Sequence, residues 1–126
     1  MTLDERRTLV ERYLGQTVRI EIDRPIGYVH KKEGYSLTYN INYGYVPGVL
    51  GGDGEELDVY LLGVDTPVSE FTGKIVAVSH RKNDVEDKLI MIPKDAELSR
   101  EEIASGIEFQ ERYYDTRLFV LGDKLF

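Results

Sequence analysis

The chain has no cysteine. That excludes disulfides and thiolate chemistry, and it leaves oxygen donors, His30 and His80 as the means of holding a metal, a set that favours magnesium or manganese over zinc. No apolar run approaches the ~20 residues needed to cross a bilayer. The first residues, Met1-Thr2-Leu3-Asp4-Glu5, lack the basic-then-apolar order of a secretory leader. No membrane partner and a cytoplasmic location are therefore expected. Basic charge is also short: 16 Lys and Arg face 23 Asp and Glu, a formal net charge of -7. Phosphate backbones attract basic surfaces, so nucleic acid is disfavoured as a partner. A small phosphate ligand is compatible, with bound cations and a few local Lys and Arg residues to neutralise it.

What is present reads as one globular domain over residues 1–126, with 41% hydrophobic and 31% charged residues arguing against disorder. Thr2 with Glu5 forms a capping box, and Leu3, Leu9, Val10, Tyr13 and Leu14 mark a helix over 3–14 that Gly15 stops. Val18, Ile20 and Ile22 alternate as a strand that Pro25 and Gly27 end. A short hairpin is expected over 30–39, turning at Glu33-Gly34. Leu57 to Leu62 is a strand on which Asp58 and Tyr60 face one side and Leu57, Val59 and Leu61 the other. Inner strands are expected over 71–80 and 88–92, joined by the charged turn 82–86. Ser99 with Glu102 caps a second helix running to about Tyr114, and 117–121 is a last strand. Short strands, regular turns and a late helix suggest a small closed β-barrel flanked by helices.

The chemistry concentrates in Tyr39-Asn40-Ile41-Asn42-Tyr43-Gly44-Tyr45-Val46-Pro47 and in the following Asp53-Gly54-Glu55-Glu56-Leu57-Asp58. Asp53, Glu55 and Asp58 offer hard oxygen ligands within one turn, and Gly51, Gly52 and Gly54 let the backbone bring them onto one ion. Taken alone, such a turn is more often a solvated loop than a metal site. The hydroxyls of Tyr43 and Tyr39 could hold a carboxylate or a phosphate oxygen. Lys88, after two acids and before an apolar strand, is placed for phosphate neutralisation at the barrel mouth. Arg24, Lys31 and Arg81 are possible phosphate clamps, and His30 and His80 could donate to phosphate or cap strand ends.

These blocks resemble the signature of soluble family I inorganic pyrophosphatases, in which an NYGY element precedes a DxDxxD cluster at the spacing from Tyr43 to Asp53. Glu86-Asp87-Lys88-Leu89-Ile90-Met91-Ile92-Pro93 is similar to that family's acid, lysine, apolar strand and proline, and Phe109-Gln110-Glu111-Arg112-Tyr113-Tyr114-Asp115 to its late helix. The likeness covers roughly 16–115. It implies an α+β, mainly β fold: a five-stranded, OB-like closed barrel with flanking helices. It also implies a metal-dependent inorganic diphosphatase that splits pyrophosphate by attack of a metal-activated water, with Mg2+ or Mn2+ as cofactor; a homo-oligomer is expected. The implied metal ligands are Asp53, Asp58 and Glu86, with Asp87 as the alternative to Glu86, and Asp84 as the nearest upstream acid. Glu55 would orient or deprotonate the water, with Asp58, Tyr43 and Lys88 beside it. Arg24, Lys31, Arg81, Lys88 and Tyr113 would contact phosphate.

The chain departs from that pattern at several points. Glu55 stands for the middle aspartate, Glu86 for another, Arg81 for a metal-binding aspartate in an ungapped alignment, and Tyr114 for the lysine that ends the late helix. Between Glu21 and Tyr39 the hairpin is short, leaving Arg24, His30, Lys31, Lys32 and Glu33 to replace a lysine, a glutamate and an arginine. Alternative functions are therefore a barrel acting on another phosphoanhydride, or a non-catalytic domain binding a phosphometabolite or a protein.

Overall fold

In a computed structural model describing all of residues 1–126, the elements follow in the order α1 (Leu3–Tyr13), β1 (Thr17–Arg24), β2 (Val29–Lys32), β3 (Tyr35–Thr38), β4 (Asn42–Leu50), β5 (Glu56–Leu61), β6 (Glu70–Arg81), β7 (Asp87–Ile92), α2 (Arg100–Glu111) and β8 (Thr116–Val120). The sheet order is β1-β4-β5-β7-β6-β8, and β1 also pairs with β6. Five strands thus close into a barrel, with β8 added beside β6, and closure leaves few strand edges to pair with other chains. β2 and β3 form a separate hairpin turning at Gly34, whose φ of 72° suits glycine.

Alternation along the strands builds two cores, one on each side of the barrel wall. Ile20, Ile22, Val46, Leu57, Val59, Leu61, Ile75, Leu89 and Met91 fill the interior, and Val10 of α1 joins them. On the outer face, Tyr43, Tyr60, Ala77, Ile90 and Ile92 are covered by Ile103 and Ile107 of α2 and by Leu37 and Tyr39. Both helices start with the expected capping box.

β4 is the strand that the sequence reading did not resolve, because Gly44, Pro47 and Gly48 punctuate it. Gly44 is required by closeness: a Cβ there would lie 1.8 Å from the Glu21 carbonyl oxygen of paired β1. Pro47 and Gly48 fall where the β4–β5 register shifts between Tyr45 and Leu50, so the proline sits in a bulge and removes no ladder bond that a regular strand would need. The second helix ends at Glu111, not near Tyr114. Arg112 caps it, and Tyr113 and Tyr114 lie in the turn leading to β8.

Candidate active site

Directly paired residues share a face, so the register fixes which side chains meet. Arg24 faces Tyr43, Tyr43 faces Tyr60, Tyr60 faces Ile90, and Lys88 faces Ser79. Arg24, Tyr43, Asp58, Lys88 and Arg81 therefore project from one outer wall. α2 covers its apolar half, and the polar half borders a cavity of about 540 Å³. Lys88 is accordingly on the barrel's outer wall and not at its mouth, since it shares the side of Ile90 and Ile92.

Lys88 is 2% exposed, and its Nζ lies 2.7 Å from Tyr43 Oη, 2.7 Å from Asp58 Oδ2 and 3.4 Å from Glu86 Oε2. Burial raises the Tyr43 phenol well above its ordinary 10.0, and the adjacent Asp58 carboxylate, which the hydroxyl also hydrogen-bonds, adds to the shift. Tyr43 thus keeps its proton and can relay a hydrogen bond between Lys88 and Asp58. Arg24 donates from Nη1 to Tyr39 Oη at 2.6 Å, and the rings of Tyr28, Tyr39 and Tyr43 flank its guanidinium at 5.5, 5.4 and 5.7 Å. Remaining guanidinium donors can serve a phosphate at this wall.

Arg81 borders the cavity, and three of its five N–H donors are engaged within the protein. Nε and Nη2 bond Glu111 at 3.2 and 2.5 Å, Nη1 bonds Glu86 at 2.7 Å, and the Tyr114 ring lies 3.5 Å from the guanidinium carbon. Arg81 is thus a buried cavity-wall residue that also positions Glu86 and carries Tyr114. Glu111 also accepts from Tyr60, Ser79 and Thr116. This network was not legible in the sequence, which shows only one more helix-end glutamate.

The acid turn meets the 82–86 turn at Gly52, where a Cβ would lie 2.1 Å from the Val85 carbonyl oxygen. That approach sets Asp53 against Glu86. A hydrogen bond between the two carboxyls holds Asp53 below its ordinary value, while burial first, and Asp53 second, raise Glu86. One proton or one cation is the natural occupant between two such carboxyls. No three His, Asp or Glu side chains converge into a cage. The paired carboxyls of Asp53 and Glu86 are the donors of the right chemistry for a hard ion, because Mg2+ is commonly held by one or two carboxylates with water and substrate phosphate completing its shell.

Of the residues singled out from sequence, Arg24, His30, Tyr39, Tyr43, Asp58, Arg81, Glu86, Lys88 and Tyr113 line the cavity. Others do not line it: Asp53 pairs with Glu86 at the acid turn, and His80 lies on the far side of the wall with Asp87. Lys31 points away because β2 alternates, and its neighbours His30 and Lys32 line the wall instead. Glu55 is at the exposed tip of the acid turn, its N–H bonded to Asp53 Oδ1, so the three acids of the turn do not converge. Asp84 caps Val85 N–H and lies 3.9 Å from Arg81, outside the cavity wall. Asp87 faces the opposite way, bonding Arg6 at 2.9 Å and His80 at 2.6 Å, with His80 stacked on Phe126. Lys32, offered by the sequence as one of the short hairpin's replacement cations, lines the cavity, as do Tyr35, which no motif announced, and Gln110, which had no role assigned within the late-helix block.

Solved structures share this architecture. Inorganic pyrophosphatase from Ehrlichia chaffeensis is similar at 17% identity and a TM-score of 0.64, over 86% of this chain and 88% of that one. The Coxiella burnetii inorganic pyrophosphatase gives 20% and 0.57 over 85% and 84%, and the Helicobacter pylori inorganic pyrophosphatase 20% and 0.56 over 86% and 84%. At such identities the likeness shows the fold. No curated protein matches the chain. The family model described as inorganic pyrophosphatase matches residues 8–118, nearly the whole domain that carries the cavity, and the chain therefore belongs to the inorganic pyrophosphatase family.

Proposed function

We propose that this protein hydrolyses inorganic pyrophosphate to two phosphates in the cavity walled by Arg24, Tyr43, Asp58, Glu86 and Lys88. The observation that carries the reading is the Lys88 ammonium, nearly buried yet on the cavity wall and held at 2.7 Å by both Tyr43 and Asp58. A cation fixed in a desolvated wall stabilises charge developing on a phosphoryl oxygen more than the same cation in water, because it need not reorganise during reaction. Arg24, steadied by three tyrosines, adds a second fixed donor.

The family is metal-dependent, and Asp53 and Glu86 are the residues that would hold Mg2+ here. When bound, the ion supplies Lewis-acid charge that neutralises the tetra-anionic substrate. Asp58 has one oxygen committed to Lys88, and its side chain is 29% exposed at the wall. It is the carboxylate placed to accept the proton of the attacking water as the new P–O bond forms and the bridging P–O bond breaks. Tyr43 keeps Asp58 and Lys88 oriented.

Phosphate release from pyrophosphate, measured with Mg2+ and then with excess chelator, tests the reading. Release that requires the ion is expected; release no faster than in buffer with Mg2+ present would overturn it.

A further inference from the structure

The cavity is built in two unlike parts. Its floor is polar, made by the buried Tyr43 and Lys88 and the half-buried Asp58 and Glu86. Its rim is aromatic and open: Tyr113 and Tyr114 are 53% and 37% exposed. Tyr35 stands edge-on to Tyr113 with ring centres 5.8 Å apart and edge-on to His30 at 6.3 Å. Tyr114 carries the Arg81 guanidinium on one face and is itself part of the cavity lining. Two joined phosphate groups can engage the floor, but they have nothing to gain from a wall of rings.

Size points the same way. A cavity of about 540 Å³ lies in the roughly 300–1,000 Å³ range of pockets that enclose ligands of drug size. Gln110 supplies a third, chemical observation. It lines the cavity, and its Oε1 is buried without a hydrogen-bond partner. An unpaired buried acceptor is costly and asks for a donor. Ionised pyrophosphate carries only acceptors, whereas the amino group of a nucleobase donates.

We propose that the site takes a phosphoanhydride bearing a planar aromatic group, of the nucleoside diphosphate class. Its phosphates meet Lys88 and Arg24, its ring stacks at Tyr35 and Tyr114, and its amino group pairs with Gln110. This rests on the reading of the floor given above and extends it to the rim. In the reaction, the oxygen of water bonds to the terminal phosphorus and the bridging P–O bond breaks. The electron pair stays on the nucleoside monophosphate, the other product is inorganic phosphate, and the proton passes to Asp58.

The test compares binding of two non-hydrolysable probes by titration calorimetry with Mg2+ present: methylenediphosphonate, and adenosine diphosphate with a methylene group between its phosphorus atoms. The ring-bearing probe is expected to bind about tenfold tighter or more, the size of one base stacking on an aromatic side chain. Tyr35→Ala and Gln110→Leu, each checked for native thermal unfolding, should bring the ratio of the two affinities towards one. A ring-bearing probe that binds no tighter than methylenediphosphonate overturns the proposal, as does a ratio unmoved by both substitutions. If pyrophosphate is hydrolysed while the bare probe is preferred, the function of the floor stands and the rim proposal alone fails. If the ring-bearing probe binds tightly and pyrophosphate is left intact, the rim proposal stands and the hydrolytic reading fails.

Discussion

Arg81 and Glu111 form a two-point ion pair beneath the cavity, with nitrogen–oxygen distances of 3.2 and 2.5 Å and both residues buried. The pair joins the end of β6 to the last turn of α2, and Nη1 of the same arginine holds Glu86. It is thus the physical link between the helix that covers the barrel wall and the carboxylate at the site.

Glu111→Gln is expected to lower stability by about 3 kcal/mol, because it removes the buried counter-charge of Arg81 and leaves it only the partly exposed Glu86. Burial opposes the Glu111 carboxylate, but Arg81, Ser79 and Tyr60 outweigh it and hold the group below the ordinary 4.5. A depressed carboxyl contributes its full stability above the unfolded value and loses it as pH falls through the lower folded value. Urea midpoints of the native protein should therefore drop as pH goes below 4.5, with a shallower drop in Glu111→Gln. Parallel curves for the two proteins would remove Glu111 from the acid response.

Asp58→Asn should reduce kcat for pyrophosphate by on the order of a hundredfold or more, since it removes the proposed proton acceptor while keeping its shape. Glu55→Gln, on the exposed tip of the turn, should cost less. Steady-state phosphate release from both variants decides between them; a larger loss at Glu55 would move the proton acceptor to the turn.

Lys88→Ala should lower kcat/KM by on the order of a hundredfold, as expected for loss of one preorganised donor. The removal also leaves Asp58 and Tyr43 without their shared partner, so thermal unfolding must be recorded alongside. Kinetics indistinguishable from the native protein would return Lys88 to a structural ion pair.

Gly52→Ala should separate the two turns at the site, because its Cβ would lie 2.1 Å from backbone oxygen that cannot rotate away. Overpacking of this kind costs about 1–3 kcal/mol. The separation pulls Asp53 from Glu86, and calorimetric titration should show weaker Mg2+ binding. Unchanged affinity in a destabilised variant would mean that Asp53 is not a ligand.

The elements themselves were largely legible in the chain. Alternation marked β1 and β5 and placed Asp58 and Tyr60 opposite Leu57, Val59 and Leu61, as found. Both capping boxes marked their helix starts. β4 escaped because its glycines and proline are there for close approach and a bulge, which look like loop signals until the partner strands are in place.

Local pattern, charge and motif spacing determined the helices, most of the strands and the residues that mark the family, because each depends on neighbours a few positions away. Which acid meets which cation depended on strand register and turn packing. Side-chain alternation alone turned Lys31 away from the wall and Lys32 towards it, and sent Asp87 to Arg6 while Glu86 faced Lys88. Glu111 lies 30 residues from Arg81 and Tyr43 45 residues from Lys88 along the chain. No local signal spans such separations, so only the closed barrel, by fixing registers across strands, could decide these pairings.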